Sequence, residues 1–367
     1  MVDLDTLACL DGLIWLRTGR EVATRLKLDQ SSVSRRQRIC AKSFGIRLEK
    51  NDQEWVLSGD QTLLNLEREV HQKARLAGLR PLRLEATYWT LPLLCDPEPS
   101  GWIAGLSNLV GMEPNLSLLR RRICDAWICG LPDLPDENDP DLCAVPLCTM
   151  PLHLLVKADH PLLKQAHIRL DDLQQFPSLA LPDGAYPVVE RELKKLGLWN
   201  TPVHMSRYRR ERWEGRSAKD VTIGYGHCLS QAVSGDGLVP LPITLPFRSG
   251  EALVLQRDLR DEPAMAALIH TLKNAWPTCS PASPSWHWPH ERIRKQGDGL
   301  GAQGPRVRVP GPQLPVRGEP VPCQAGVCAE RQRTVATAIE HHNKRIGLGP
   351  QAVVREHAPA QHAMAKG

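Results

Sequence analysis

The residues best suited to binding a charged partner lie between positions 17 and 50. This stretch holds ten Lys and Arg against three Asp and Glu, a local excess of seven positive charges. Within it, Ser31, Arg35, Arg38 and Lys42 recur at spacings of 4, 3 and 4, which places them on one face of a helix. Because cationic and hydroxyl groups bind phosphates and base edges, this face indicates a nucleic-acid surface.

Two short helices joined by a tight turn would hold this face in place. Val22, Ala23 and Leu26 form the apolar side of the first helix. Asp29 stands where an N-cap is expected, so the second helix is predicted to begin at Gln30. Two such helices, the second with a polar and Arg-rich outer face, are typical of a helix-turn-helix reader of DNA. The alternative is a cationic face that is merely solvated.

The chemistry of the second helix suggests a role for each polar side chain. Gln30 and Ser31 lie at its N-terminus, where side chains reach base edges and free amides reach phosphate. Gln can pair with adenine and Arg35 with guanine, whereas the other cations are better placed for phosphates. The predicted DNA-binding residues are Gln30, Ser31, Ser32, Ser34, Arg35, Arg36, Arg38, Lys42 and Lys50.

A single polar-rich helix is predicted over 60–77, with a length of about 27 Å at 1.5 Å per residue. Its apolar residues form one narrow seam: Leu63, Leu66, Val70, Ala74 and Ala77. A helix with so narrow a seam needs a partner. That partner is either a second copy of the helix or the chain's own domain, and the pattern alone leaves both open.

Short apolar runs alternate with amphipathic stretches from position 81 onward, which predicts an α/β domain with a largely parallel sheet. Strands are predicted at 82–86, 125–129, 152–156, 177–181, 203–205, 221–223 and 237–240, and helices at 190–196 and 264–275.

Several of these segments resemble one family. VATRLKLDQSSVSRRQR at 22–38 resembles the N-terminal signature of LysR-type transcriptional regulators, and 46–48 with 54–58 resemble their wing. HPL at 160–162, followed by LDDL at 170–173, resembles their effector domain. So does the GYG turn at 224–226, followed by GLV at 237–239. The resemblance covers about residues 4–276.

The resemblance implies the fold class and domain order. The expected fold is α/β, with a winged helix-turn-helix at 1–58 and a linker and dimerisation helix at 59–80. A two-lobed, periplasmic-binding-protein-like effector domain at 81–276 would hold a ligand between its lobes. The family also implies a homodimer or homotetramer, whose paired heads would bind half-sites of a pseudo-palindrome in double-stranded DNA.

Within that fold, the candidate effector site follows from helix starts and strand ends. The predicted effector-binding residues are Thr87, Tyr88, Trp89, Leu131, Arg207, Gly224 and Tyr225. Arg207 could hold a carboxylate through two hydrogen bonds. Tyr88, Trp89 and Tyr225 are bulky for a cleft that admits a charged metabolite. They therefore suggest an aromatic or apolar ligand, or a partly filled cleft.

The last segment, 277–367, differs from the rest in composition. It contains 12 Pro, 10 Gly and a net charge of +6, which predicts a disordered basic tail. The abrupt change after Trp276 also raises the hypothesis of a shifted reading frame. Comparing the coding frame on either side of codon 277 would test it.

Composition and motifs exclude several other classes. No apolar run is long enough to cross a membrane, and the first residues lack the basic start of a secretory signal. The 11 Cys, without a C-x-x-C pair, suggest reduced thiols in a cytoplasmic protein. Motifs of Ser hydrolases, zinc proteases and P-loop enzymes are absent, so no enzyme, metal or cofactor is expected. The alternatives are a solute-binding protein or enzyme built on the two lobes, or a regulator that has lost its effector.

Overall fold

The computed structural model describes residues 1–275, except 235, 236 and 244. The predictions made for 277–367 therefore lie outside the described residues.

The first 58 residues form three helices and a hairpin. The helices are α1 (Leu4–Leu16), α2 (Gly19–Leu26) and α3 (Gln30–Ser43), and the antiparallel strands are β1 (Arg47–Asn51) and β2 (Glu54–Ser58). The turn between α2 and α3 passes through Lys27 in the left-handed conformation, and its N–H caps α2. Asp29 occupies the N-cap position of α3, but its side chain makes no capping hydrogen bond.

The helix α4 (Thr62–Leu76) buries the face opposite the predicted seam. Leu63 is 53% exposed, and Leu66 and Val70 are half-buried. Ala74, predicted to lie in the seam, is instead buried against the rest of the chain. The buried face is largely polar and consists of Leu64, Glu67, Arg68, His71, Gln72, Ala74 and Arg75. The apolar stripe is thus left largely open, while ion pairs hold the helix to its own chain.

The first lobe is a five-stranded sheet with the order β4-β3-β5-β12-β6. Its strands are β3 (Leu82–Glu85), β4 (Trp102–Ala104), β5 (Ala126–Leu131), β6 (Leu142–Pro151) and β12 (Arg248–Gln256). The helices α5 (Thr90–Leu94), α6 (Met112–Arg120) and α11 (Pro263–Ala275) belong to this lobe. One hydrophobic cluster joins α1 to this lobe, since Trp15 and Leu13 belong to the same core as Leu119 and Trp127.

The second lobe is built around β7 (His153–Lys157), which pairs antiparallel with β10 (Gly224–Gly226) and β11 (Leu238–Pro240). The short strands β8 (Leu179–Ala180) and β9 (Thr201–Pro202) pair in parallel. Its helices are α7 (Leu170–Leu173), α8 (Pro187–Lys195), α9 (Glu214–Lys219) and α10 (Cys228–Ser234), and a 3-10 turn covers Pro161–Lys164.

The observed sheets correct the expected strand arrangement. Among the strands that the structure describes, only the pairs β3–β4, β3–β5 and β8–β9 are parallel, so the prediction of a largely parallel sheet was wrong. The long strand β12, which pairs antiparallel with both β5 and β6, was not predicted. Its first residues are Arg-Ser-Gly-Glu, which are poor strand formers, and a bulge interrupts its pairing with β6. Residues 203–205 are not a strand, because the pairing lies at Thr201–Pro202 instead.

Candidate functional site

The outer face of α3 is an exposed polar surface. Gln30, Ser31, Arg35, Arg38 and Lys42 are all exposed along it. The opposite face carries the buried residues Val33 and Cys40, which pack into the same hydrophobic cluster as α1. Because the exposed cations lie a turn apart, they form one stripe that can follow a groove of DNA.

The remaining predicted DNA-binding residues differ in their surroundings. Ser32 and Ser34 are half-buried, and Lys50 is exposed on β1 with its ammonium 5.7 Å from the centre of the Trp55 ring. Arg36 turns away from the outer face. Its Nη1 lies 2.9 Å from Oδ1 of Asp3, so Arg36 ties α3 to the start of α1. A phosphate contact by Arg36 stays a prediction, and it would compete with this ion pair.

A cavity of about 150 Å³ lies between the two lobes. Among the predicted effector-binding residues, Thr87, Tyr88, Trp89, Leu131 and Tyr225 line it. Eight aromatic side chains from both lobes form most of the wall: Tyr88, Trp89, Trp127, Tyr186, Trp199, Tyr208, Trp213 and Tyr225. The cavity is therefore suited to a ligand with an aromatic or apolar body.

Gly224 does not line the cavity. A Cβ atom at this position would come within 2.7 Å of the Ser217 hydroxyl, so the glycine permits close packing of β10 on α9. Its expected role in binding an effector is corrected to a role in packing.

Arg207 does not line the cavity either, because its guanidinium is occupied elsewhere. Nε and Nη2 donate to the two carboxylate oxygens of Glu54, at 3.0 and 2.8 Å. Nη1 donates to Oδ1 of Asn108 at 3.1 Å and to the carbonyl oxygen of Trp15 at 3.4 Å. The predicted carboxylate-binding arginine thus joins the wing strand β2 to a segment at the rim of the cavity.

A second contact links the head to the same rim. The Trp15 indole N–H donates to Oε2 of Glu85 at 2.5 Å, and the backbone N–H of Ser107 donates to Oε1 of the same carboxylate at 2.8 Å. Ser107 lines the cavity. Burial raises the pKa of the Glu85 carboxyl above its usual range, even though these donors oppose the shift.

Two tyrosines and one glutamate connect the lobes across the cavity. The rings of Tyr88 and Tyr208 are stacked, with centroids 3.4 Å apart. The Tyr88 hydroxyl donates to Oε1 of Glu214 at 2.5 Å, and the Tyr208 hydroxyl donates to Oε2. Because Tyr88 follows β3 and Glu214 begins α9, this contact bridges the first lobe and the second.

Sequence reasoning missed Glu214, Trp199, Trp213, Tyr208 and His227 as neighbours of the cavity. They come from separate loops and short helices, and no spacing in the sequence indicates that they meet. His227 stacks edge-on against Trp89, and burial lowers its pKa to about 3, so the imidazole is neutral at physiological pH.

Buried ion pairs anchor α4 between the head and the first lobe. Arg68 donates twice to Oδ1 of Asp11 on α1, at 2.9 and 2.6 Å. About two turns further on, Arg75 forms two hydrogen bonds with Asp125, which precedes β5. Arg83 lies within 3.7 Å of Asp11, so the two ion pairs adjoin one another.

Within residues 1–275, apart from the three gaps, no group of three or more His, Cys, Asp or Glu is arranged to hold a metal ion. The same residues contain no helix that is long and apolar enough to span a membrane.

The chain was compared with known proteins and solved structures. Residues 112–207 match the family model described as the LysR substrate binding domain. No curated protein sequence matches the chain.

Solved structures with a similar arrangement include a full-length OxyR variant from Pseudomonas aeruginosa, with 17% identity and a TM-score of 0.48. It covers 74% of this chain and 95% of that one. A probable transcriptional regulator from the same organism has 17% identity and a TM-score of 0.48, covering 74% and 97%. Full-length CbnR in complex with its target DNA has 13% identity and a TM-score of 0.44, covering 75% and 100%. What the comparisons show is therefore a similarity of residues 112–207 to the LysR substrate binding domain.

Proposed function

We propose that the chain is a cytoplasmic, sequence-specific DNA-binding transcription regulator, controlled by a small molecule held in the cavity between its lobes. The observation that carries this proposal is the exposed polar face of α3 on the same chain as a matched substrate-binding domain. The proposal involves no catalytic step. It treats residues 1–58 as the reading head, 59–80 as the linker and 81–276 as the effector domain.

In this proposal, α3 enters the major groove of DNA. Gln30, Ser31 and Arg35 contact base edges, because they lie at the N-terminal half of the helix that enters the groove first. Arg38 and Lys42 contact phosphates, which fix the register without specifying sequence. Lys50 on the wing contacts the backbone beside the groove.

The ligand would act through the rim of the cavity. Ser107 and Asn108 line the cavity and also contact, respectively, Glu85 and Arg207, both of which hold the head. A ligand that moves this rim therefore changes how the head sits on its own effector domain. The ligand must bind the two arrangements with different affinities for this to shift the equilibrium.

A second copy of the chain completes the proposed reader. The open stripe of Leu63, Leu66 and Val70 on α4 would face its counterpart in a homodimer, which two such dimers could extend to a tetramer. Two heads then bind two half-sites, so each operator carries a pseudo-palindrome.

The test is a footprint of the full chain on the DNA upstream of its own gene, followed by fluorescence anisotropy on the protected fragment. The proposal predicts a protected region with two related half-sites, and tighter binding there than to a scrambled fragment of equal length. Equal affinity for both fragments, at several salt concentrations, would contradict it.

A further inference from the structure

The size of the cavity limits its ligand to about one ring. Its volume is about 150 Å³, and a cavity of that size in another protein holds one benzene molecule. Five rings lie in close succession along the wall: Trp89 contacts Tyr88 edge-on, and Trp199 contacts Trp213 and Tyr225 at 6.3 and 5.6 Å. A ligand inside must therefore meet ring faces and edges on several sides.

The cavity is lined without a cationic side chain among the described residues. The wall formed by the described residues contains no Lys or Arg, because Arg207 is paired with Glu54 outside it. Arg210, near Tyr208, is exposed and does not line the cavity. His227 on the wall is neutral, so a bound anion would find no counter-charge there.

Three carboxyl groups surround the same space. Asp133 lines the cavity and accepts hydrogen bonds from the backbone of Val188 and Val189. Glu214 accepts hydrogen bonds from Tyr88 and Tyr208, and Glu251 accepts one from the Trp89 indole.

Two of these carboxyl groups act on the ring walls. A carboxyl group that accepts a hydrogen bond from a phenol or indole polarises the ring, which makes its face more attractive to a cation. Oε2 of Glu251 has no hydrogen-bond partner among the described residues, so this carboxyl group keeps one oxygen free to accept a hydrogen bond.

Resting on the proposed function, we infer that the effector is a protonated organic amine with a single aromatic or apolar ring, and that carboxylates are excluded. The ring replaces water against the aromatic wall, and the ammonium lies near the Tyr88 and Tyr208 rings, whose hydroxyls donate to Glu214. Cation–π attraction strengthens when both partners are desolvated, as they are in this enclosed site. An isosteric carboxylate would have to be buried beside carboxyl groups without a cation, which is costly.

Three small probes of nearly equal size test this inference on the full chain: benzylamine, benzyl alcohol and benzoate. Isothermal titration calorimetry measures their affinities at pH 7. We expect benzylamine to bind about tenfold more tightly than benzyl alcohol, and benzoate to bind least. Benzoate binding as well as benzylamine, equal binding of benzylamine and benzyl alcohol, or no binding by any of the three would each overturn the inference.

A pair of variants assigns the preference to the wall. Glu214→Gln keeps an acceptor for one tyrosine hydroxyl but removes the negative charge. The ratio of the affinities for benzylamine and benzyl alcohol should therefore fall several-fold. Glu211→Gln makes the same change at an exposed position outside the wall, and should leave the preference unchanged. An unchanged preference in Glu214→Gln overturns the inferred role of this carboxylate.

DNA binding separates this inference from the proposed function. Sequence-specific anisotropy of the wild-type chain, measured without any probe, tests the regulator itself. Specific DNA binding combined with a preference for benzoate would overturn only the ligand class, whereas loss of specific DNA binding would overturn the function.

Discussion

Arg207, at the rim of the effector cavity, forms a two-pronged ion pair with Glu54 of the DNA-binding wing, with N–O distances of 3.0 and 2.8 Å. The arginine is 6% exposed, and Glu54 is about one-quarter exposed. The residue that sequence reasoning assigned to the ligand therefore holds the reading head on the effector domain.

The first prediction concerns the strength of this contact. Glu54→Gln and Arg207→Gln should each destabilise the chain by about 1–3 kcal/mol, because each leaves a partly buried partner unpaired. The double variant should lose less stability than the sum of the two single losses, with a coupling energy of about 1 kcal/mol or more. Urea unfolding of the four proteins measures this, and strictly additive losses would show that the ion pair does not contribute to stability.

The second prediction concerns the reading face. Arg35→Ala should weaken binding to the protected fragment by about 1–3 kcal/mol while changing binding to scrambled DNA less. Lys42→Ala should instead weaken binding to both fragments alike and reduce the salt dependence of that binding. Arg169→Ala, which removes an exposed arginine far from α3, is the control and should change neither affinity. Equal losses on both fragments for Arg35→Ala would contradict its assignment to bases.

The third prediction concerns the open stripe of α4. A charged group buried against an apolar partner costs several kcal/mol, so Leu66→Glu should give monomers at micromolar concentration. Leu79→Glu places the same charge at an exposed leucine beyond the helix and should leave the assembly intact.

Light scattering measures the oligomeric state of both variants. Fluorescence anisotropy on the operator should show a steep loss of DNA affinity for Leu66→Glu alone. A Leu66→Glu protein that stays dimeric would indicate that the stripe is not the dimer contact.

The fourth prediction concerns pH. Burial without a neighbouring cation raises the pKa of the Glu251 carboxyl far above its usual range, so the folded chain holds this proton more tightly than the unfolded one. The stability it contributes is complete below the ordinary carboxyl pKa. As the pH rises from there toward the raised pKa, that contribution decreases by up to about 1.4 kcal/mol per pH unit.

Glu251→Gln should remove this dependence, because the amide oxygen still accepts from Trp89 and no ionisation occurs. Thermal unfolding between pH 5 and 8 should show the variant gaining stability over the wild type as the pH rises. Parallel curves for the two proteins would show that the pKa of Glu251 is not raised in the folded chain.

The sequence predicted the head in detail because its signals are local. Gln30 does begin α3, and the wing that the family resemblance placed at 46–48 and 54–58 has its strands at Arg47–Asn51 and Glu54–Ser58. The ion pair of Arg36 was not predicted, because a helix pattern does not show which side chain of a neighbouring helix lies beside a half-buried position. The partner, Asp3, lies 33 positions away.

The cavity was less predictable because tertiary contacts create it. Thr87, Tyr88 and Trp89 were found from a helix start, but Trp199 and Trp213 come together only when the second lobe folds. Arg207 could not be assigned correctly because its partner, Glu54, is 153 positions away in another domain. Strand β12 escaped prediction because its partners β5 and β6 stabilise a segment of weak intrinsic preference.

The ion pairs beneath α4 restrict how this chain can be recombined with others. Arg68 faces Asp11 in the head, while Arg75, about two turns later, faces Asp125 at the start of β5. A chimera that grafts a foreign head lacking Asp11 would leave a buried guanidinium without its carboxylate. A hybrid regulator made at this junction therefore requires that both members of each pair be transplanted together, so the two domains are not interchangeable modules.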